Sequence, residues 1–196
     1  FGKQTKTLDE LIKTQKNKSA RQMKTLAGTI LPCIALYKTL STDGLSQEAA
    51  YVYMRAYMLD KAAAQKHASM AGMEAVPGFY AIYSRIFLNV MRKSDLWEST
   101  QRREKNFFDV TIQKCLWHTA CAENGCPELR RLFCDSDNVA YGGLKKLGFA
   151  RTKTLGCGDD CCDFHFFRKQ NGAISKMDTF RRFRRSFARR NLQGFG

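Results

Sequence analysis

The chain has 196 residues, 44% of them hydrophobic, with 14 Phe and only 3 Pro, which is enough apolar side chain to give one domain a real core. No apolar run is long enough to span a bilayer, since Leu26–Leu40 is short and broken by Pro32, and the opening FGKQTKTLDEL lacks the apolar centre of a secretory signal. The formal net charge of +15 is unevenly spread: residues 1–24 carry +5 and residues 176–190 carry +6, so the middle of the chain is only mildly cationic.

In chain order, residues 8–24 read as a charged helix with a thin apolar stripe, with Thr7 as N-cap and Glu10 as its capping-box partner. Residues 25–40 read as a buried helix with a kink or break near Pro32, and STDG (41–44) as a turn or cap. Residues 46–71 form a long helical pattern in which Ala49, Val52, Tyr53, Ala56 and Leu59 share a face. Pro77-Gly78 opens another helix, 79–93, with Phe79, Ile82, Tyr83, Ile86 and Val90 on one side. These Met and aromatic stripes are read as core.

The period then drops to two. In NFFDVTIQKCLWH (106–118), Phe108, Val110 and Ile112 alternate with Asp109, Thr111 and Gln113, the mark of a strand with one apolar face, and Cys115 and Trp117 continue the polar side. Residues 118–124 suggest a short helix ended by Gly125. Cys126-Pro127-Glu128-Leu129 starts another that runs to about Cys134, and a third covers 137–147, closed by Gly148. FARTKTL (149–155), GCGDD (156–160) and CCDFHFF (161–167) read as strand, turn and returning strand, a hairpin. The expected fold is α+β, a helical N-terminal half packed on an antiparallel sheet with a basic C-terminal helix or tail. The expected division is a basic N-terminal helix (1–24), an α+β domain (25–170) and a basic amphipathic tail (171–196).

Eight cysteines are present: Cys33, Cys115, Cys121, Cys126, Cys134, Cys157, Cys161 and Cys162. An even count suits a small disulfide scaffold, but this chain is larger than such scaffolds. Free thiols in a reducing cytoplasm are the expectation. His118, Cys121, Cys126 and Cys134 contain no Cys-x-x-Cys and match no zinc ribbon or finger. A metal assembled in three dimensions from Cys115, His118, Cys126 or Cys162 stays open, beside the plainer reading of small buried hydrophobes. A thiolate nucleophile is the stronger chemistry. Cys115 and Cys162 lie nearest strand centres, with His118 and His165 as the nearby imidazoles.

On 161–167, Cys161, Asp163, His165 and Phe167 share one face and Cys162, Phe164 and Phe166 the other. Either the polar face is solvated, or helices cover it and enclose a pocket; the long helical half favours cover. A buried Asp163 needs a partner, for which Arg151 and Lys153 on the neighbouring strand are at hand.

Taken together, KCLWH (114–118), GCPEL (125–129), FCDSD (133–137), YGGL (141–144) and FARTKTLGCGDDCCDFHF (149–166) resemble the L-2-amino-thiazoline-4-carboxylic acid hydrolase family. The resemblance is strong over about 105–168, weaker over 25–104, where LPCIALYKTL (31–40) carries it, and does not reach past about 170. It implies hydrolysis of a C–N or C–S bond in a small cyclic amidine, with water adding at ring carbon 2 and the ring opening. By this resemblance Cys115, His118, Cys126, Cys134, Asp135, Cys162 and Asp163 surround the site. Cys162, Asp163, Cys115 and His118 are then the catalytic candidates, and Arg151, Asp135, Cys126, Cys134 and His165 the substrate-binding ones. Asp163 would hold the amidinium and Arg151 the substrate carboxylate. Cys157, in a turn, is the less apt nucleophile. No organic cofactor is implied. The alternative is a small-molecule or metal-binding protein on the same scaffold, without catalysis, associating through its basic ends.

The tail MDTFRRFRRSFARRNLQGF (177–195) sets Phe180, Phe183 and Phe187 at helical spacing among arginines. It reads as a terminal helix docked on the domain, as a segment for an anionic membrane surface or acidic partner, or, least favoured, as a nucleic-acid contact.

Overall fold

The computed structural model describes residues 2–169; the basic tail and its readings lie outside the described residues. Among those described, no helix is long and apolar enough to cross a membrane. The architecture is α+β, as expected, with a four-stranded antiparallel sheet in the order β1-β2-β4-β3.

Helix α1 (Gly2–Thr14) and α2 (Ala20–Thr25) divide the first predicted helix in two. The cap is Ser19, whose side chain accepts from Gln22 N–H while Gln22 answers to the Ser19 backbone, so the capping box lies twelve residues beyond the expected Thr7. From α2 the chain continues through a π-helical turn, Leu26–Ile30, into α3 (Leu31–Thr42). The widened turn falls just before Pro32, which has no N–H to donate into the preceding turn, so the expected break is absorbed without ending the helix. Helix α4 (Gln47–Arg55), capped by Ser46, runs through a second π-helical stretch, Ala56–Ala63, into α5 (Ala64–Met73). Helix α6 spans Phe79–Lys93.

Both long helices bury a stripe rotated from the sequence reading, which keeps only Leu59 of the first expected face and Phe79 and Tyr83 of the second against the core. On α4 and its continuation the buried residues are Ala50, Met54, Met58, Leu59 and Ala63, and Val52 is 64% exposed. On α6, Ile86 is 58% exposed and Ile82 and Val90 are exposed with it; Phe79, Tyr80, Leu88 and Met91 are buried, and Tyr83 and Phe87 pack beside them. Each helix offers two apolar stripes, and the sheet decides between them. Its inner face is aromatic, so the aromatic side of α6 meets it: Phe87 lies 5.1 Å from Phe166 and 5.8 Å from Phe108, centroid to centroid.

Strand β1 (Trp97–Arg103), not anticipated, pairs with β2 (Phe107–Cys115). Phe108, Val110 and Ile112 point inward as expected. The register slips at Glu98/Ser99, which face Lys114 and Ile112, so Gln113 is an extra residue on β2. A bulge of one residue reverses the alternation beyond it. Cys115 is therefore turned toward the core, not to the polar side.

Helix α7 (Leu116–Glu123) follows directly, and α8 (Leu129–Tyr141) is one unbroken helix where two were expected. It stops at Gly142, whose backbone turns extended (ψ 140°), and Gly143 follows with φ +75°; beyond them buried Glu74, at the end of α5, takes the N–H groups of Lys145 (2.7 Å), Lys146 (2.5 Å) and Leu147 (3.0 Å) and so guides the chain into the next strand. Gly148 closes no helix. It belongs to β3 (Leu147–Ala150), where the Phe167 ring of β4 (Cys162–Arg168) fills the space a side chain would occupy.

Two core clusters result. One joins α6, α8 and the Phe108–Val110–Ile112 and Cys162–Phe164–Phe166 faces of the sheet. The other joins α1 to α4 with α7 and the start of α8. The helices thus cover the phenylalanine face of β4, and the expectation that they cover its polar face is overturned.

Candidate active site

The expected strand 149–155 ends at Ala150, and residues 151–161 form a connection. Asp163 and Asp159 fold it. Asp163 accepts from Thr152 N–H (2.8 Å), Thr152 Oγ1–H (2.5 Å) and Lys153 N–H (2.6 Å), and Asp159 accepts from Thr154 N–H (2.8 Å). These bonds remove Thr152–Thr154 from any ladder and press a short 3-10 turn, Leu155–Cys157, onto α8. Gly156 permits the contact, because a Cβ there would lie 2.7 Å from Cys134 Sγ and 3.0 Å from the Arg130 carbonyl oxygen.

Under this turn sits Cys162, 4% exposed. Its sulfur accepts Leu155 N–H at 3.3 Å and lies 3.5 Å from Thr154 Oγ1, which itself accepts Gly156 N–H at 3.3 Å and so directs its own proton to the sulfur. The Cys134 thiol donates to it as well. That thiol-to-thiol bond, helped by Thr154 and the Leu155 amide, outweighs burial and brings the Cys162 pKa down from 9.0 to about 7. The cost falls on Cys134, which is held firmly protonated by the same bond and by burial. Cys115 is the third sulfur of the group. It accepts the His118 and Trp117 N–H groups at the start of α7, yet burial raises its pKa to about 11.

Above the turn lies an open cleft of ≈ 520 Å³, lined by Tyr51, His118, Glu128, Arg130, Arg131, Leu155, Gly156 and Asp159. His118 Nε2 is 3.0 Å from Arg130 Nη1. A guanidinium has only donors, so Nε2 must be the acceptor and the imidazole is neutral. Its other nitrogen donates to the Leu155 carbonyl. Burial, then Arg130, lowers the His118 pKa. One residue, Leu155, thus bonds the imidazole through its C=O and the Cys162 sulfur through its N–H.

The profile of the L-2-amino-thiazoline-4-carboxylic acid hydrolase family matches residues 11–166, which include every residue named in this group. The chain belongs to that family. The match extends the sequence resemblance back through the helical half, to α1. No curated protein matches the chain. The solved structure of the Fe(II) unliganded H-NOX protein from K. algicida aligns over 87% of this chain and 90% of its own, at 10% identity and a TM-score of 0.28, and carries no argument.

Among the residues expected to surround the site of such a hydrolase, Cys162, Cys134, Cys115 and His118 do come together. Others do not. Asp135 is on the outer side of α8, 3.6 Å from Arg131. Cys126 is buried in the other core cluster beside Cys121. His165 projects from the polar face of β4 and meets Asp109 of β2 at 2.6 Å, across a directly paired register position. Arg151 does not pair with Asp163: its side chain, 5% exposed, donates to the Cys134 carbonyl (3.0 Å) and stands 3.8 Å from Asp137. Asp163 clasps the connection, with Oδ1 on the Thr152 and Lys153 N–H groups and Oδ2 on the Thr152 hydroxyl. All eight cysteines are free, and among the described residues no three of His, Cys, Asp and Glu form a set that could hold a metal ion. Sequence reasoning missed Thr154, Leu155 and Arg130. The first two act through a fold of the connection that no periodicity announces. Arg130 was readable, since it lies one turn beyond Pro127 on the helix after His118.

Proposed function

We propose that this hydrolase opens a small cyclic amidine of the thiazoline type, with Cys162 as nucleophile and His118 as base. The observation that carries the reading is the convergence of Leu155 N–H, Thr154 Oγ1–H and the Cys134 thiol on the Cys162 sulfur, beneath a cleft that holds a neutral histidine. A thiol near pKa 7 is about half thiolate at neutral pH, and an amidinium carbon is its natural electrophile.

The Cys162 thiolate adds to ring carbon 2 of the amidinium. The bond from that carbon to the ring sulfur breaks, and the substrate sulfur leaves as thiolate. The linked isothiouronium then takes up water; the bond to Cys162 breaks and the carbon is left as a carbamoyl group. Of the two protons water loses, one passes through His118 to solvent, replacing the proton the amidinium brought, and the other converts the substrate thiolate to thiol. Asp163 is a positioning residue here, because it folds the turn that supplies the Leu155 and Thr154 donors. Cys115 is a packing neighbour that keeps the pocket of sulfurs dry. Since Cys162 is nearly buried, the Leu155–Cys157 turn must lift for the substrate to reach the sulfur.

Incubation with 2-amino-thiazoline-4-carboxylate, followed by mass spectrometry, tests this reading. The wild type should yield the carbamoyl thiol product, and Cys162→Ala should not. Binding without turnover in the wild type would support the alternative, a small-molecule-binding protein on this scaffold.

A further inference from the structure

The cleft contains an arrangement that the chemistry above does not use: a guanidinium bonded to the one imidazole that should be free. Arg130 gives Nη1–H to His118 Nε2 (3.0 Å) and Nε–H to the Pro127 carbonyl (2.7 Å). In this state His118 cannot accept a proton, because its Nδ1 is donating to Leu155 and its Nε2 lone pair is taken. An arginine bound to a neutral imidazole is in a weaker partnership than an arginine bound to a carboxylate, where two charge-assisted bonds form in parallel.

We propose that Arg130 is the anchor for a carboxylate on the ligand, and that by turning to it Arg130 releases His118 Nε2 to act as base. The proposal rests on the hydrolase reading and names a recognition and gating element within it.

The charges around the cleft fit an anionic ligand. From the start of α8 come Glu128, Arg130 and Arg131, and from the 151–161 connection comes Asp159. Both carboxylates are already engaged. Glu128 accepts from Tyr37 Oη (2.5 Å) and Gln47 Nε2 (2.9 Å), and Asp159 accepts from Thr154 N–H. Cys115, which accepts the His118 backbone N–H, is held protonated by burial. Arginine side chains are thus the cations left to meet an incoming anion. The other arginine near the sulfurs, Arg151, is closed off by Cys134 and Asp137 and does not line the cleft. A carboxylate on Arg130 would do two things at once. It would place the rest of a small ligand over the Leu155–Gly156 turn, and it would make the base available only when a ligand of the right charge is present.

The test is an NMR titration of the full chain. There are three histidines, and His118→Gln identifies the signal of His118. The probe is L-thiazolidine-4-carboxylate, which has the ring and the carboxylate but no amidine to hydrolyse; thiazolidine, without the carboxylate, is the control. The expected result is that the saturating carboxylate raises the His118 pKa by about one pH unit, because Nε2 loses a cationic donor and gains a nearby anion. Thiazolidine should leave it in place, and Arg130→Met should abolish the response. In turnover, Arg130→Met should raise KM roughly ten- to a hundred-fold, from the lost charge-assisted bonds, with kcat held because His118 Nε2 is then free. Failure of the probe to bind, or binding with no change at His118, overturns the proposal. So does a full response in Arg130→Met. The two readings fail separately: turnover with no His118 response sinks the gate alone, and a His118 response without turnover sinks the hydrolase chemistry alone.

Discussion

The molecule has two pairs of thiols, and they differ in what surrounds them. In each, one cysteine donates to the other: Cys134 to Cys162 in the sheet-side core, Cys121 to Cys126 between α7 and α8. In each, the acceptor's pKa is lowered and the donor's is raised. Cys162, however, also receives a backbone N–H and a hydroxyl from a turn that forms the floor of a cleft. Cys126 is 1% exposed among Leu116, Leu129 and Leu132 in the helical core. A polarised thiol is therefore not by itself a site. The distinction comes from the donors of the Leu155–Cys157 turn and from the imidazole that lines the same cleft.

The largest expected effect separates the pairs directly. Cys162→Ala should lower kcat by at least about a thousand-fold, as expected for a removed nucleophile, with a circular dichroism spectrum unchanged from wild type. Cys126→Ala should leave kcat within about two-fold and instead cost on the order of 1 kcal/mol of stability by thermal melting, as a buried truncation does. Equal losses of activity would erase the distinction. A smaller effect concerns the donor. If Cys162 reacts as the thiolate, activity should rise with pH through about 7, the acid limb of its profile. Cys134→Ala removes the largest cause of the lowered pKa, and that limb should move up by about one pH unit or more toward the ordinary thiol value. An unmoved limb would assign it to another group, His118 first. Gly156→Ala tests the turn itself. Its methyl would meet Cys134 Sγ and the Arg130 carbonyl, and overpacking of this kind costs about 1–3 kcal/mol. The turn should lift away from α8, reducing kcat with the Leu155 and Thr154 donors displaced.

These contacts also mark where sequence reasoning stopped. The α+β class, the alternation of Phe108, Val110 and Ile112, and the opposite facing of Cys162 and Asp163 were readable, because period and residue type determine them locally. Three features were not. The inward turn of Cys115 depends on Gln113 having no partner on β1, which only the pairing of strands reveals. The burial of Met54 in preference to Tyr53, and of Tyr80 in preference to Ile82, is a choice between two apolar stripes that the opposing surface makes. The path from α8 into β3 and the shape of the 151–161 connection are set by carboxylates outside those segments, Glu74 and Asp163, which accept backbone N–H groups. A carboxylate's availability to a backbone donor has no periodic signature, so the hold of Asp163 on Thr152 and Lys153 could not be read beside its expected role as a ligand contact.

Asp163 is also where the smallest expected effect is most informative. If it held the substrate amidinium, Asp163→Asn would remove a charge pair in the site, and KM would rise by roughly a hundred-fold with the fold unchanged. If it is the clasp, the amide oxygen can keep the Thr152 and Lys153 N–H groups while its NH2 donates to Thr152 Oγ1, since a hydroxyl also accepts. The charge-assisted bonds then become neutral ones, costing about 1 kcal/mol of stability. The turn above Cys162 should loosen, and kcat should fall by less than about ten-fold while KM changes little. Hydrogen exchange at the Lys153 and Leu155 amides should quicken in the same variant, whereas substrate contact alone would leave those amides as protected as in the wild type.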